Sequence, residues 1–201
     1  MCNRYVFQTT PDDAADRYDA SIEDRWEPSF NIAPQSDAPV VRQNSPRRIT
    51  LLHWGLVPHW ADDTSIGSKL LNARAETVDE KPAFRDAYRQ RRCIIPANGF
   101  YEWTGKKGTK QPFYLTVPDQ DIISLAGLWE HWQQDGDEVI SFTIITCPPN
   151  ELVSEVHDRM PVILEQDDED DWLDGTADKA VLDPYPADKM ALRPVSRRVN
   201  S

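Results

Sequence analysis

Short apolar runs recur along this chain, and their spacing constrains its fold more than any other feature. Runs rich in β-branched and aromatic residues are typical of strands. They occur at residues 40–41, 49–54, 93–95, 113–117, 122–128, 139–145 and 162–164. Two intervening segments, 105–108 and 135–136, have the composition of hairpin turns. The sequence therefore predicts strands that are mostly joined by short turns.

Helical segments are fewer and irregularly placed. After a predicted strand over residues 2–8, Thr10 and Pro11 followed by two aspartates predict the N-cap and first turn of a helix. Further helices are predicted near 82–89, near 151–156 behind an Asn150 cap, and once or twice in the acidic stretch 166–181. Strands joined by short turns with helices inserted irregularly favour a single α+β domain, an antiparallel sheet or partial barrel, over a doubly wound fold.

Length and cysteine content narrow the class of protein. A chain of 201 residues can bury a large core without disulfides or metals. No apolar run approaches the roughly 18 residues that span a bilayer, and acidic residues begin at Asp12, where a signal peptide would have an apolar segment. The three cysteines, Cys2, Cys93 and Cys147, form no CxxC pair. We expect a soluble, cytoplasmic protein without a disulfide framework or membrane association.

The charge balance argues against a nucleic-acid partner at first sight. The chain has 34 acidic and 22 basic residues, a net charge of −12, and a negative field opposes phosphate binding. The charges are segregated, however, with acids concentrated at 167–171 and basic residues around 85–92 and 193–198. This distribution leaves room for one basic groove. The acidic, lysine-poor composition also resembles that of proteins from high-salt cytoplasms, where screening weakens repulsion.

Cys2 is chemically the most unusual residue. Cys93 and Cys147 lie in strand-like apolar runs, where a thiol is usually buried packing. A small second residue permits removal of Met1, which would leave an amine and a thiol on adjacent carbons. Such an aminothiol captures an aldehyde, because the amine forms an imine and the thiol closes it into a thiazolidine. On position alone, an inert second residue is the commoner case.

Two titratable residues suggest proton transfer. Glu102 lies between Tyr101 and Trp103 in a strand-like run, so that desolvation would raise its pKa into a range useful for acid–base work. His157 follows a short predicted helix, and this loop position suits an acid, a base or an oxyanion stabiliser. Each has a structural alternative: a strand glutamate paired with an arginine, and a hydrogen-bonding histidine.

Asn72 and Arg74 would share one face of an extended segment, because side chains two residues apart point the same way. They would then aim an amide and a guanidinium into one site, and a guanidinium suits a phosphate. The alternative is an ion pair between Arg74 and Glu76 or Glu102.

Aromatic and histidine residues add two further expectations. Trp54 and Trp60 could stack on unpaired bases, although tryptophans are more often core residues. The four histidines show neither i, i+4 spacing nor a CxxC-like partner. No metal site is predicted.

Taken in order, these residues resemble the SOS response-associated peptidase family, whose members act as abasic-site processing proteins. The similarity runs from Cys2 to about Val199, and its most specific parts are Cys2 and the runs 72–77, 100–103 and 157–161. Family members usually have glycine where this chain has Asn3, and their C-termini tend to continue further. The resemblance implies one catalytic domain over residues 1–201, with a twisted, largely antiparallel β core, a few flanking helices and a cleft for single-stranded DNA or a strand junction.

The resemblance also implies roles for individual residues. Cys2 would be the crosslinking nucleophile after autocatalytic or aminopeptidase removal of Met1. Asn72 would position its amine, while Glu102 and His157 would move protons during ring opening, imine formation and crosslink reversal. Imine formation would also explain a secondary strand-nicking lyase activity.

The implied partner is single-stranded DNA that contains abasic sites, bound by a monomer without cofactor or metal. Arg4 and Arg74 would hold the phosphates beside the lesion, and Trp60 and Pro34 would complete the DNA contacts. Two other functions remain as alternatives: a thiol peptidase that uses Cys2 with His157, and a noncatalytic single-strand binding module.

Overall fold

The computed structural model describes residues 2–43, 46–106 and 109–200, and these form a single α+β domain. The strands are β1 (Tyr5–Phe7), β2 (Ser21–Ile22), β3 (Ser29–Ile32), β4 (Asp37–Arg42), β5 (Arg48–Trp54), β6 (Asn72–Arg74), β7 (Arg92–Ala97), β8 (Gly99–Thr104), β9 (Gln111–Thr116), β10 (Ile123–Gln134), β11 (Asp137–Cys147), β12 (Met160–Pro161), β13 (Ile163–Leu164) and β14 (Ala191–Pro194). The α-helices are α1 (Pro11–Tyr18), α2 (Arg85–Gln90), α3 (Glu151–Ser154) and α4 (Glu169–Asp174).

The larger of two sheets curls into a barrel. Its strand order is β12-β11-β10-β7-β4-β5-β2, with β13 beside β10 and β6 beside β11. A parallel pairing of β11 with β5 closes β5, β4, β7, β10 and β11 into a ring. The other parallel pairings are β2 with β5 and β6 with β11, and the remaining pairings are antiparallel. The predicted α+β class with a largely antiparallel partial barrel is confirmed.

A tight hairpin joins the two longest strands, β10 and β11. Asp135 and Gly136 both have positive φ, 53° and 94°, which is the geometry of the turn that matches the twist of the flanking strands. The predicted turn at 135–136 is therefore confirmed. The other predicted turn, at 105–108, includes Lys107 and Gly108, which lie outside the described residues.

The smaller sheet carries the N-terminus. Its order is β14-β9-β8-β1-β3, and all four pairings are antiparallel. It packs on the barrel through aromatic side chains: Tyr5 meets Trp54 edge to face with ring centroids 5.4 Å apart, and Trp54 stacks on Phe142. This shared core fixes β1, and with it the residues just before β1, against the barrel.

Helix-start signals in the sequence are confirmed. The Thr10 hydroxyl accepts a hydrogen bond from the backbone N–H of Asp13, with Pro11 as the first residue of α1. The Asn150 side chain likewise accepts from the N–H of Val153 at the start of α3. A neutral side-chain acceptor at this position satisfies one of the otherwise unpaired N–H groups of the first turn.

Two sequence-based assignments need correction. The helix predicted near 82–89 begins only at Arg85, and residues 82–84 form turns. Trp54 is fully buried in the core, so that it has no face for a nucleic-acid base.

The sequence also predicted buried cysteines and no membrane-spanning segment. Cys93 and Cys147 are buried in strands, as predicted for packing residues. Within the described residues no helix is long and apolar enough to cross a bilayer. In the same part of the chain, no group of three or more His, Cys, Asp or Glu side chains is placed to hold a metal ion.

Candidate active site

Cys2 and Glu102 come together because β1 pairs with β8. In this antiparallel pairing Tyr5 lies opposite Phe100, and the backbone N–H of Tyr101 donates to the carbonyl of Arg4 at 2.9 Å. The chain just before β1 therefore runs beside Glu102. The Cys2 side chain is fully buried, and Glu102 is only 2 % exposed.

Burial controls the state of the Cys2 thiol. Desolvation, reinforced by the negative charge of Glu102, raises its pKa far above the ordinary thiol value, although a hydrogen bond with the Arg4 backbone acts in the opposite direction. The thiol is therefore protonated at neutral pH. A group that must lose its proton to react needs a base beside it at that moment.

Glu102 and His157 form such an acid–base pair. Burial raises the pKa of the Glu102 carboxyl to about 8, with a smaller contribution from the negative charge of Asp158. Burial also lowers the pKa of His157. At neutral pH the shared proton therefore resides on the carboxyl group and the imidazole is neutral, the reverse of an ordinary Glu–His pair. The Nε2 atom of His157 lies 3.7 Å from Oε2 of Glu102.

The other ring nitrogen of His157 has partners for either tautomer. Nδ1 lies 3.0 Å from the backbone N–H of Arg159, which can donate to it, and 3.1 Å from the carbonyl oxygen of the same residue. The Asp158 carboxylate lies 3.1 Å from Nδ1 as well. Nδ1 can thus accept a hydrogen bond or donate one, and Nε2 can take up or release a proton toward Glu102.

Asn72 enters the site from β6, which pairs in parallel with β11. Its amide nitrogen donates to Oδ1 of Asn3 at 3.3 Å. Its amide oxygen is buried and has no hydrogen-bond partner among the residues that the structure describes. An unpaired buried acceptor is costly in isolation and suits a donor that arrives later, such as an amine.

Asn3 occupies its position without backbone strain. In the described part of the chain, the non-glycine residues with positive φ are Asp19, Gln35 and Asp135. The departure from glycine at this position is therefore tolerated, and it adds a side chain that holds Asn72.

Arg159 is a positioning residue that the sequence did not reveal. Arg159 is only 9 % exposed. Its guanidinium makes a two-point contact with the Glu76 carboxylate and donates a hydrogen bond to the carbonyl of Thr146 at 2.6 Å. It thereby ties the segment after β6 to β11, while its backbone contacts His157. Glu76 lies 83 residues away from Arg159 in sequence. The one sequence signal for this pair is that both residues lie in runs that resemble the family, 72–77 and 157–161.

The residues that were expected to contact DNA differ in their exposure. Arg74 is exposed on β6, two residues after Asn72, and the Glu76 carboxylate pairs with Arg159. Arg4 is half-buried and donates to Oδ1 of Asn31 at 2.9 Å.

Two further expected contacts lie on loops. Trp60 is 50 % exposed, and its indole N–H points to the carbonyl of Pro82 at 3.4 Å. Pro34 is half-buried between β3 and β4.

A separate cleft of about 740 Å³ lies elsewhere on the barrel. Its lining includes Asp37, His53 and Glu138 but none of the candidate site residues. Carboxylates on its wall make it a poor site for phosphates.

Comparisons with known proteins agree on one family. The sequence model of the SOS response associated peptidase (SRAP) family matches residues 1–201. The chain is 41 % identical to the abasic site processing protein YoqW of Bacillus subtilis over 212 residues, which cover all of this chain and 95 % of that protein. It is 32 % identical to the abasic site processing protein HMCES of Xenopus tropicalis, covering 89 % of this chain and 64 % of that protein.

Solved structures show the same architecture. The crystal structure of a protein from Bacteroides thetaiotaomicron matches with a TM-score of 0.92 and 28 % identity, covering 98 % of this chain and 93 % of the other. One from Bordetella bronchiseptica matches with a TM-score of 0.83 and 27 % identity, covering 97 % and 100 %. With a family match over its whole length and a curated relative at 41 % identity, this chain belongs to the SOS response associated peptidase family.

Proposed function

We propose that this protein processes abasic sites in single-stranded DNA by crosslinking to them through the thiol and freed α-amine of Cys2. The observation that carries the proposal is the meeting of Cys2, the Glu102–His157 pair and the Asn72 amide, which come from four separate segments of the chain. Relatives named abasic site processing proteins support the same substrate. The open form of an abasic sugar supplies the aldehyde that an aminothiol captures.

The reaction needs the bond between Met1 and Cys2 to be hydrolysed first. Met1 lies outside the described residues, and its hydrolysis leaves a free α-amine on Cys2. The new amine of Cys2 would donate a hydrogen bond to the amide oxygen of Asn72, which has no partner in the described part of the chain. That contact would aim the nitrogen lone pair at an incoming aldehyde.

Protonated Glu102 suits the opening step. Ring opening of the sugar hemiacetal moves a proton from the anomeric hydroxyl to the ring oxygen and produces the aldehyde. A carboxyl group with a pKa of about 8 holds its proton at neutral pH and can donate it to the ring oxygen. The resulting carboxylate can then take the hydroxyl proton.

Imine formation and ring closure follow. The amine attacks the aldehyde carbon, and loss of one water leaves the imine. The thiol sulfur then bonds to the imine carbon, the electron pair of the C=N bond moves to nitrogen, and nitrogen ends with one proton. Because the thiol is protonated at neutral pH, neutral His157 or the Glu102 carboxylate removes its proton during closure. Overall, one aldehyde and one aminothiol give one thiazolidine and one water.

The main test is a denaturing gel of the protein with an abasic single-stranded oligonucleotide. We expect a shifted covalent band with wild type and with Cys93→Ala, which removes another buried thiol. Cys2→Ala should lose the stable band, yet its free amine should still form an imine that borohydride traps. An abasic oligonucleotide reduced beforehand to the alcohol should not react. An undiminished band with Cys2→Ala would refute the proposal.

Two finer activities belong to the same proposal. If the protein removes its own Met1, the Glu102→Gln variant should keep Met1 and wild type should lose it. Intact-mass measurement of both proteins, purified from an aminopeptidase-deficient host, tests this expectation. A strand-nicking lyase activity follows from the imine, and Cys2→Ala should show it more strongly because ring closure is blocked. A cytoplasmic location and a monomeric state remain predictions.

A general thiol peptidase is less well supported. Thiol peptidases rely on a thiolate whose pKa is lowered by a neighbouring cation. Burial and the Glu102 carboxyl raise the pKa of Cys2 instead. A purely noncatalytic binding module predicts that Cys2→Ala leaves DNA retention under denaturing conditions unchanged, and the gel distinguishes that outcome.

A further inference from the structure

The C-terminal segment returns to the face of the small sheet that carries Arg4. Strand β14 adds to the edge of the sheet beside β9, and the N–H of Val195 donates to the carbonyl of Pro112 at 3.0 Å. Val195 and Val199 then pack against the buried pair Tyr101 and Tyr114. The position of this segment is therefore set by strand pairing and apolar contact.

One asparagine links the segment to the candidate site. Asn31 on β3 accepts from the Arg4 guanidinium at 2.9 Å and donates to the carbonyl of Val199 at 3.4 Å. Arg4 and Val199 therefore bond to the same side-chain amide, which places the C-terminal segment close to Arg4.

Two arginines in the segment have no carboxylate partner among the described residues. Arg193 and Arg197 are exposed, and neither makes an ion pair with a carboxylate in the described part of the chain. Arg193 instead lies over the ring of Tyr114, 5.1 Å from its centroid. By contrast, Arg25 and Arg48 each pair with a carboxylate. On a protein of net charge −12, two unpaired guanidiniums form a local positive surface.

Phe30 lies on β3 beside Asn31, the residue that contacts Val199 of the C-terminal segment. Its side chain is 66 % exposed at the edge strand β3, and its backbone carbonyl is held by the Tyr101 hydroxyl at 3.1 Å. Its only large exposed hydrophobic companion among the described residues is Trp60. An exposed aromatic ring on the same sheet as exposed guanidiniums can bind a single strand, because the ring stacks on a base and the cations hold phosphates.

We propose that Phe30, Arg193 and Arg197 form a C-terminal strip that binds the single strand flanking the lesion, with one base stacked on Phe30 and two phosphates held by the arginines. The inference rests on the proposed function for the identity of the partner. The strip would lengthen the basic surface that begins at Arg4, and it accounts for the basic cluster at 193–198.

The test measures reversible binding of a 12-nucleotide single strand that carries a central tetrahydrofuran analogue of the abasic sugar. This analogue has no aldehyde, so that binding is separated from crosslinking. Arg193→Gln with Arg197→Gln should weaken binding at least about fivefold and lower the salt slope of log K by about 1.4, two phosphate contacts at roughly 0.7 each. Phe30→Ala should weaken binding on the order of 5- to 100-fold, with the slope unchanged.

The control is Arg25→Gln with Arg48→Gln, which removes the same charge from arginines that already have carboxylate partners. Equal losses in the control and strip variants, or unchanged affinity in both strip variants, would overturn the proposal. If the double variant unfolds, Arg197→Gln alone and Phe30→Ala decide it, since both side chains are exposed. Wild type that binds the analogue but forms no covalent band with an aldehyde-bearing strand would refute crosslinking and leave the strip intact.

Discussion

At the scale of single residues, the burial of one carboxyl group determines which groups of the candidate site carry protons. Glu102 keeps its proton near neutral pH, while neutral His157 stands 3.7 Å away. In an ordinary exposed pair the carboxyl group would be ionised at neutral pH. Here burial leaves both members uncharged, so that the carboxyl group can donate a proton and the imidazole can accept one.

The raised pKa of Glu102 predicts how stability varies with pH. Between the ordinary value of 4.5 and about 8, the folded state binds more protons than the unfolded state. Stability must therefore fall as pH rises through this window. Glu102→Gln removes the titration, so the variant should be more stable than wild type at pH 8 by on the order of a few kcal/mol, with a much smaller difference at pH 5.

Urea unfolding at the two pH values checks this prediction. Glu165→Gln, at a carboxylate that is partly exposed, provides a matched control and should not reproduce the pH-dependent gain. A difference between Glu102→Gln and wild type that is the same at pH 5 and pH 8 would contradict the assignment.

At the scale of elements, long-range contacts assemble the site. Cys2 precedes β1, Asn72 lies on β6, Glu102 lies on β8 and His157 follows α3. Arg159 adds an ion pair that holds the segment after β6 against β11. The Arg159 guanidinium therefore adds to the β6–β11 pairing in fixing Asn72 relative to His157.

Loss of this ion pair should loosen the site. Glu76→Gln removes the charge that faces Arg159 and should destabilise the fold by about 1–2 kcal/mol, because Arg159 is largely buried while Glu76 is about half exposed. Crosslinking should slow without being abolished, since no reacting group is lost. Urea unfolding and single-turnover crosslinking rates provide the measurements.

Glu80→Gln is the control, since it makes the same charge change on an exposed side chain nearby. Equal effects from the two substitutions would show that the contact with Arg159 contributes nothing specific.

The sequence predicted helix caps and a hairpin turn, but it did not predict contacts between residues far apart in the chain. The Thr10 and Asn150 caps and the 135–136 turn depend on residues within a few positions, so their patterns predicted them correctly. The Glu76–Arg159 contact depends on how two strands far apart in sequence align. Trp54 is buried and Trp60 is half exposed, a difference that composition alone does not predict. The grouping of the site residues was expected only through the family resemblance.

For the whole molecule, net charge opposes both folding and DNA binding, but salt affects the two in opposite ways. Excess negative charge repels itself within the compact state, and added salt screens this repulsion. We therefore expect the melting temperature to rise between 0.1 and about 1 M KCl. DNA affinity should fall over the same range, because phosphate contacts release counterions.

Thermal unfolding in KCl tests the stability half of this prediction. Chloride is preferable to sulfate, which also strengthens apolar burial. Asp167→Asn with Asp174→Asn, at exposed carboxylates without ion-pair partners among the described residues, should reduce the response to salt. A melting temperature that is constant or falls with KCl would contradict the role given to charge repulsion.

The buried Cys2 thiol has a consequence for the protein before it meets DNA. Peroxides and alkylating agents consume thiolates, and a protonated sulfur sealed beneath the surface offers them little to attack. If the protein crosslinks to DNA as proposed, it reacts only once and must keep its thiol intact until then. We therefore expect the burial that makes the proposed ring closure depend on a base also to protect the unreacted protein.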